Sequence, residues 1–254
     1  KAADYLKSVR LERSVFIDDV NDPNQTALIG QEFSLITTDR GYIEAKLSST
    51  NPNFAAIIVQ LLKDAGVEEN DNVAVAMTGS FPGLNIATMA ALETLKIKPI
   101  IITSVGSSNW GANDPYFTWL DMEHELVSSN IFHHSSVAAS IGGGADIGRG
   151  LSPEGRNLII KAIERNQIET INEEHLENSI AKRMEIYNTK KDGKPIAAFI
   201  NIGGGIASLG NSINGKLILP GLTPFIPKGN FPVEGVMIQM GQQKIPVIHL
   251  LNIS

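Results

Sequence analysis

The chain has 254 residues, 43% of them hydrophobic and 19% charged, which is enough for a full core and typical of a globular protein. Its net charge of −6 argues against nucleic-acid binding, because neutralising phosphates needs a basic face and no cluster of Lys and Arg supplies one. The absence of cysteine excludes disulfides, thiolate catalysis and cysteine-ligated zinc.

The first 50 residues predict a helix followed by a hairpin. Apolar residues recur at helical spacing over residues 2–20, which is typical of an amphipathic helix. Strand-like residues 33–37 and 42–47 flank Asp39-Arg40-Gly41, where the glycine suits a left-handed turn position. We therefore expect residues 1–50 to pack as a helix and hairpin on an α/β domain formed by residues 51–254.

The rest of the chain alternates apolar, β-branched runs with helical patterns. A helix begins near Asn51 and Pro52, carries one apolar stripe and stops at Gly66. Strands are predicted at residues 73–77, 99–103, 137–141, 196–202 and 247–253. Helices are predicted at residues 84–95, 115–128, 153–165 and 175–187. This order predicts a three-layer, mostly parallel, Rossmann-like α/β fold, with the proline-rich residues 216–232 as an ordered surface loop.

Three glycine-rich turns, at residues 78–83, 141–150 and 202–210, each follow a predicted strand and precede a helical pattern. In a parallel sheet such turns emerge at the carboxyl edge of the strands, where backbone N–H groups can hold an anionic or polar ligand. We therefore expect one shared ligand site. Its candidate residues in the turns are Gly79, Ser80, Gly142, Gly143, Gly144, Asp146, Arg149, Gly204, Gly205 and Ser208.

These turns match neither common nucleotide motif. From Gly142, the sixth position of a dinucleotide fingerprint holds Ile147, and neither of the two Walker-like glycine spacings is followed by lysine. Arg149 could grip a carboxylate, and Asp146 could hold a metal, orient Arg149 or act as a base. Alternatively, Asp146 and Arg149 form a structural pair. We predict no metal site and leave the cofactor open.

Ser80 follows a strand, as the serine of a nucleophile elbow does, but Thr78 and Pro82 stand where an elbow needs small residues. The order Ser80, then Asp114 or Asp146, then His249 is that of an α/β-hydrolase triad, so a catalytic role for Ser80, Asp146 and His249 is one hypothesis. The simpler interpretation is that Ser80 hydrogen-bonds a ligand or the next helix.

Two further segments supply candidate ligand contacts. Lys46 precedes a polar run and a helix start, where it could contact an anion. The polar loop at residues 106–114, which includes Ser107 and Asn109, has the composition of a ligand-covering loop.

Five stretches together resemble the family of poly-γ-glutamate system proteins, which accompany bacterial machinery that makes and exports poly-γ-glutamate. They are residues 49–55 (STNPNFA), 79–82 (GSFP), 109–115 (NWGANDP), 138–156 (AASIGGGADIGRGLSPEGR) and 247–252 (VIHLLN). The resemblance runs from about residue 30 to the C-terminus, and the stretch at 138–156 is its most specific part. The resemblance implies a biological process. The family has no established catalytic residues that could be assigned to positions in this sequence.

From this resemblance we expect an accessory component of poly-γ-glutamate synthesis or export that binds a γ-glutamyl chain or another small anion. One alternative is a serine hydrolase or transferase acting on γ-glutamyl amide bonds, and another is a non-catalytic partner of the membrane synthase. The chain starts at Lys1 rather than at methionine. We therefore expect an N-terminal membrane anchor in the full-length protein, with this domain outside the cytoplasm.

Overall fold

The computed structural model describes residues 1–251 and contains a central seven-stranded sheet covered by helices on both faces. Its helices are α1 (Ala2–Glu12), α2 (Ile43–Ser49), α3 (Asn53–Asp64), α4 (Pro82–Thr94), α5 (Trp119–Ser128), α6 (Pro153–Arg165), α7 (Leu176–Lys190), α8 (Ile206–Leu209), α9 (Asn214–Leu217) and α10 (Val236–Gln242). Its strands are β1 (Thr37–Asp39), β2 (Asn72–Thr78), β3 (Lys98–Ser104), β4 (Ser107–Ser108), β5 (Asn113–Asp114), β6 (Phe117–Thr118), β7 (Ser136–Ser140), β8 (Glu169–Ile171), β9 (Ile196–Ile202), β10 (Gly221–Thr223) and β11 (Val247–Leu250).

The strand order of the main sheet is β10-β11-β9-β2-β3-β7-β8, and every pairing in it is parallel except that of β10 with β11. From β2 the chain adds β3, β7 and β8 on one side, and then returns to place β9 and β11 on the other. The order therefore reverses between β2 and β9. The three-layer, Rossmann-like architecture predicted from the sequence is confirmed.

The core lies on both faces of the sheet, which explains why the central strands are apolar runs without alternation. All seven residues of β2 are buried. Val73, Val75 and Met77 face the layer that contains α3, α4 and α5, whereas Ala74 and Ala76 face the layer of α7, α8 and α10. Each glycine turn at the end of a central strand is thus held between two packed layers.

The predicted hairpin is wrong. β1 pairs in parallel with β4, with Thr37 opposite Ser107, and residues 43–49 form α2 instead of a returning strand. Ile43 and Leu47 are four residues apart, so they lie on one helical face and also fit strand alternation. β4, the strand that pairs with β1, is about 70 residues away in the chain, so no local sequence pattern predicts this pairing.

Other boundaries also differ from the sequence predictions. The first helix ends at Glu12, and α5 begins at Trp119 because β5 and β6 occupy the preceding residues. The proline-rich segment contains the edge strand β10, and β8 and α10 were not predicted. β11 ends at Leu250, and the predicted strand residues 252–253 lie outside the described residues.

Within the described residues, none of the helices has the length and apolar character needed to cross a membrane.

Candidate functional site

A cavity of about 340 Å³ opens at the carboxyl edge of the sheet, and all three glycine turns border it. Ser80 comes from the turn after β2, Gly143 and Gly144 from the turn after β7, and Gly204 and Gly205 from the turn after β9. The cavity thus lies where the strand order reverses between β2 and β9. In open α/β sheets, this reversal point is the usual position of a ligand site.

The segment of residues 38–46 forms the remaining wall. It runs from β1 into α2 and contributes Arg40, Tyr42 and Lys46 to the cavity lining. Gly143 and Gly106 hold this segment closely, since a Cβ atom on either glycine would lie within 2.8 Å of Thr38 Cγ2. The predicted N-terminal segment of residues 1–50 therefore contributes one wall of the pocket. Of the residues in this wall, the sequence analysis identified only Lys46.

Lys46 is 1% exposed and has neutral partners. Its Nζ donates to the backbone carbonyl of Ser80 and, at 2.8 Å, to Ser108 Oγ, and lies 3.9 Å from the centroid of the Phe81 ring. Among the described residues no carboxylate pairs with it. Burial away from water penalises the ammonium form and lowers the pKa of Lys46 to about 7.

Two hydroxyl-bearing residues of the first glycine turn, Ser80 and Thr78, also line the cavity. Ser80 Oγ accepts a hydrogen bond of 3.0 Å from the backbone N–H of Ser108. Thr78 lines the cavity, is almost fully buried, and its Oγ1 has no hydrogen-bond partner among the described residues. Because buried hydroxyls are rarely left unpaired, Thr78 is a ready contact for a polar ligand.

The second turn is organised by a buried ion pair. Asp146 accepts hydrogen bonds from Arg183 at 2.9 Å, from Ser140 at 2.8 Å and from Ser179 at 2.6 Å. Asp146 itself has a φ of +64°, so these contacts hold a backbone conformation that non-glycine residues rarely adopt. Asp146 is therefore a structural residue whose partner is Arg183, and Arg149 is exposed and lies outside the cavity lining.

The third turn leaves open space beside the cavity. Gly203 has a φ of +82°, and a Cβ atom there would lie 2.5 Å from Thr78 Oγ1. A Cβ atom on Gly204 would meet nothing within 4 Å. Ser208, which the sequence placed among the ligand contacts, is buried in α8 and does not line the cavity.

The structure does not join Ser80, Asp146 and His249 into a triad. His249 is buried, with Nδ1 accepting from the Asn201 amide at 3.0 Å, and its burial lowers the pKa of the imidazole. The carboxylate of Asp146 is occupied by Arg183 and the serines around it. Among the described residues, no hydrogen bond links any two members of the proposed triad.

The remaining candidate residues shape the site without lining it. Gly79 packs against the residues after β3, since a Cβ atom there would lie 2.4 Å from the carbonyl oxygen of Val105. Gly142 has a φ of +78° and packs against Ser104. Ser107 is buried, and Asn109 accepts from the N–H of Gly41 and so fixes the segment of residues 38–46.

Ser108 is the functional candidate that sequence reasoning missed. It lines the cavity and touches both Lys46 and Ser80, which lie 62 and 28 residues earlier. The composition of the loop makes its neighbours Ser107 and Asn109 candidates, but composition does not show which of several adjacent polar residues faces a cavity. The described residues contain no cluster of three or more His, Asp or Glu side chains suited to a metal ion.

Comparison with protein-family models, curated proteins and solved structures finds no match for this chain. The functional inference therefore rests on the cavity and on the sequence resemblance.

Proposed function

We propose that this protein binds a γ-glutamyl chain end, or another small carboxylate ligand, in the cavity at the carboxyl edge of the sheet. In this proposal it is an accessory component of bacterial poly-γ-glutamate synthesis or export. The observation that carries the proposal is the convergence of three glycine turns and an unpartnered buried hydroxyl on one cavity at the strand-order reversal.

An anionic ligand can meet one exposed cation in the cavity lining. The charged side chains of the lining, within the described residues, are Asp39, Arg40 and Lys46. Arg40 is exposed at the mouth, and its side chain makes no ion pair among the described residues, so its guanidinium is available to a carboxylate. The low pKa of Lys46 leaves it mostly uncharged above pH 7, which makes Arg40 the main cation of the site.

The size of the cavity limits what can enter it. A volume of about 340 Å³ is at the small end of the range for small-molecule sites. It suits one or two γ-glutamyl units rather than a long stretch of polymer. We therefore propose recognition of a chain end or a short oligomer, in the polymer-synthesis context that the sequence resemblance supports, with membrane association and synthase contact as parts of the same proposal.

Isothermal calorimetry with di- and tri-γ-glutamate tests this proposal, with α-linked oligomers of equal length and charge as the ligand control. We expect Arg40→Gln to weaken binding of the γ-linked oligomers about two- to fivefold, the range for one solvent-accessible ion pair. Arg149→Gln is the matched control, because Arg149 is exposed outside the lining, and it should leave affinity unchanged.

Two results would contradict the proposal. If neither the γ-linked nor the α-linked oligomers bind, the proposed ligand class is rejected. Equal loss of affinity in the two arginine variants would reject this cavity as the binding site.

A further inference from the structure

We propose that Ser108 and Lys46 are a nucleophile and its general base, which together hydrolyse the γ-glutamyl amide bond of a ligand held in this cavity. The inference rests on the proposed function, because the cavity must first bind the γ-glutamyl group. It differs from the serine-hydrolase alternative built on Ser80, Asp146 and His249, whose side chains the fold does not join.

The geometry brings the two reacting groups together at the cavity wall. Lys46 Nζ and Ser108 Oγ are 2.8 Å apart, within reach for direct proton transfer. Both residues line the cavity, so a carbonyl group bound there can approach the Ser108 hydroxyl. This pairing of a serine with a lysine base is a known variant of nucleophilic catalysis by serine.

A lysine serves as a base only when it is neutral, and the surroundings of Lys46 favour that form. Its charged or titratable neighbours are Asp39, Arg40 and Tyr42 in the preceding segment and Glu44 on its own helix, all of them exposed. The N-terminal turn of α4, residues 107–112 and residues 203–208 carry no charged side chain. Burial without a carboxylate partner lowers the pKa of Lys46 to about 7, the range in which a general base works best.

Ser80 is a positioning residue in this arrangement. Its Oγ accepts from the backbone N–H of Ser108 at 3.0 Å, and its carbonyl oxygen accepts from Lys46 Nζ. It therefore fixes both members of the pair relative to the end of β2. The pairing of β1 with β4, which sets Asp39 opposite Ser108, holds the nucleophile from the other side.

The reaction balances with water as the second substrate. Neutral Lys46 takes the Ser108 hydroxyl proton while Oγ bonds to the γ-carbonyl carbon, and the ammonium then gives this proton to the leaving amine as the C–N bond breaks. A water molecule next attacks the resulting ester, Lys46 takes the proton from that water, and Ser108 recovers it as the C–O bond breaks. The products are a γ-carboxylic acid and a free amine.

Release of p-nitroaniline from γ-glutamyl-p-nitroanilide measures the reaction. We expect the rate of the wild-type protein to rise with pH through about 7. Ser108→Ala and Lys46→Met should each lower the rate about 100-fold or more, the size of a general-base or nucleophile effect. Urea unfolding of both variants checks that each remains folded.

Matched controls separate chemistry from folding. Lys63→Met and Ser8→Ala alter exposed residues outside the cavity lining and should leave the rate unchanged. A fluorophosphonate probe, followed by peptide mapping, reports nucleophile reactivity independently of the substrate. We expect it to label Ser108 in the wild type, and to label Lys46→Met much more slowly.

The outcomes distinguish this inference from the proposed function. Binding of γ-glutamyl oligomers without turnover and without labelling of Ser108 rejects the nucleophile pair and leaves the binding function intact. A wild-type rate in Ser108→Ala also rejects the pair. Absence of oligomer binding rejects the proposed function, and with it γ-glutamyl amides as the substrate.

Discussion

The buried charged side chains of this protein are stabilised in different ways. These differences distinguish side chains with a structural role from the one that is a candidate for chemistry. Asp146 and Arg183 are each about 2% exposed and neutralise one another. Glu123 is 1% exposed and accepts hydrogen bonds from the backbone and hydroxyl groups of Ser136. Lys46 lacks a countercharge among the described residues and borders the cavity, so it is the buried charge best suited to chemistry.

Glu123 should make the stability of the protein depend on pH. Desolvation raises its pKa to about 7 in the folded protein, against about 4.5 when unfolded, so the folded state binds the proton more tightly. This contribution is complete below pH 4.5 and is lost as pH rises to about 7. Relative to Glu123→Gln, wild-type stability should fall by about 3 kcal/mol over this interval.

Urea unfolding of the two proteins between pH 4.5 and 8 measures this difference. Glu164→Gln, at an exposed position of α6, is the control and should follow the wild type. A constant stability difference between wild type and Glu123→Gln across this range would show that Glu123 titrates normally.

At the scale of elements, the glycine turns have two distinct roles. In the second turn, Gly143 has a φ of +66° and contacts Thr38, so it seats the segment of residues 38–46. In the third turn, Gly204 has no neighbour within 4 Å of a Cβ position and lies outside the positive-φ range. The first glycine supports the cavity wall, and the second borders open space.

Alanine at these two positions should separate stability from binding. We expect Gly143→Ala to lower the free energy of unfolding by about 1 to 2 kcal/mol, because alanine is strained at positive φ and would crowd Thr38. Gly204→Ala should leave stability nearly unchanged and weaken binding of tri-γ-glutamate. Urea unfolding and calorimetry measure the two effects. The opposite pattern, with Gly204→Ala less stable and binding normally, would contradict these assignments.

At the scale of the whole molecule, the features that the sequence predicts correctly are those that depend on local sequence pattern. Apolar runs identified the central strands, and the glycine turns that follow them converge as expected for a parallel sheet. The pairing of β1 with β4, the Asp146–Arg183 pair and the contact of Lys46 with Ser108 were not predictable in this way. Each joins residues between 37 and 70 positions apart, and composition offers no signal for which distant residues will meet.

Ligand binding should therefore protect distant parts of the chain together. Hydrogen–deuterium exchange with and without tri-γ-glutamate should show slower exchange in residues 38–46 and also in residues 203–206, because both segments border one cavity. The amides in the C-terminal half of α6, away from the cavity, should be unaffected. Protection confined to one of the two segments would contradict a shared site.

The wall of residues 38–46 also has a consequence for the order of events during synthesis. These residues are made more than 150 residues before Gly204 and Leu251, which line the same cavity. Domains generally fold as units, and the central strand β2 pairs with β9, which is made late. A growing chain therefore has no complete cavity until β9 and β11 have joined the sheet.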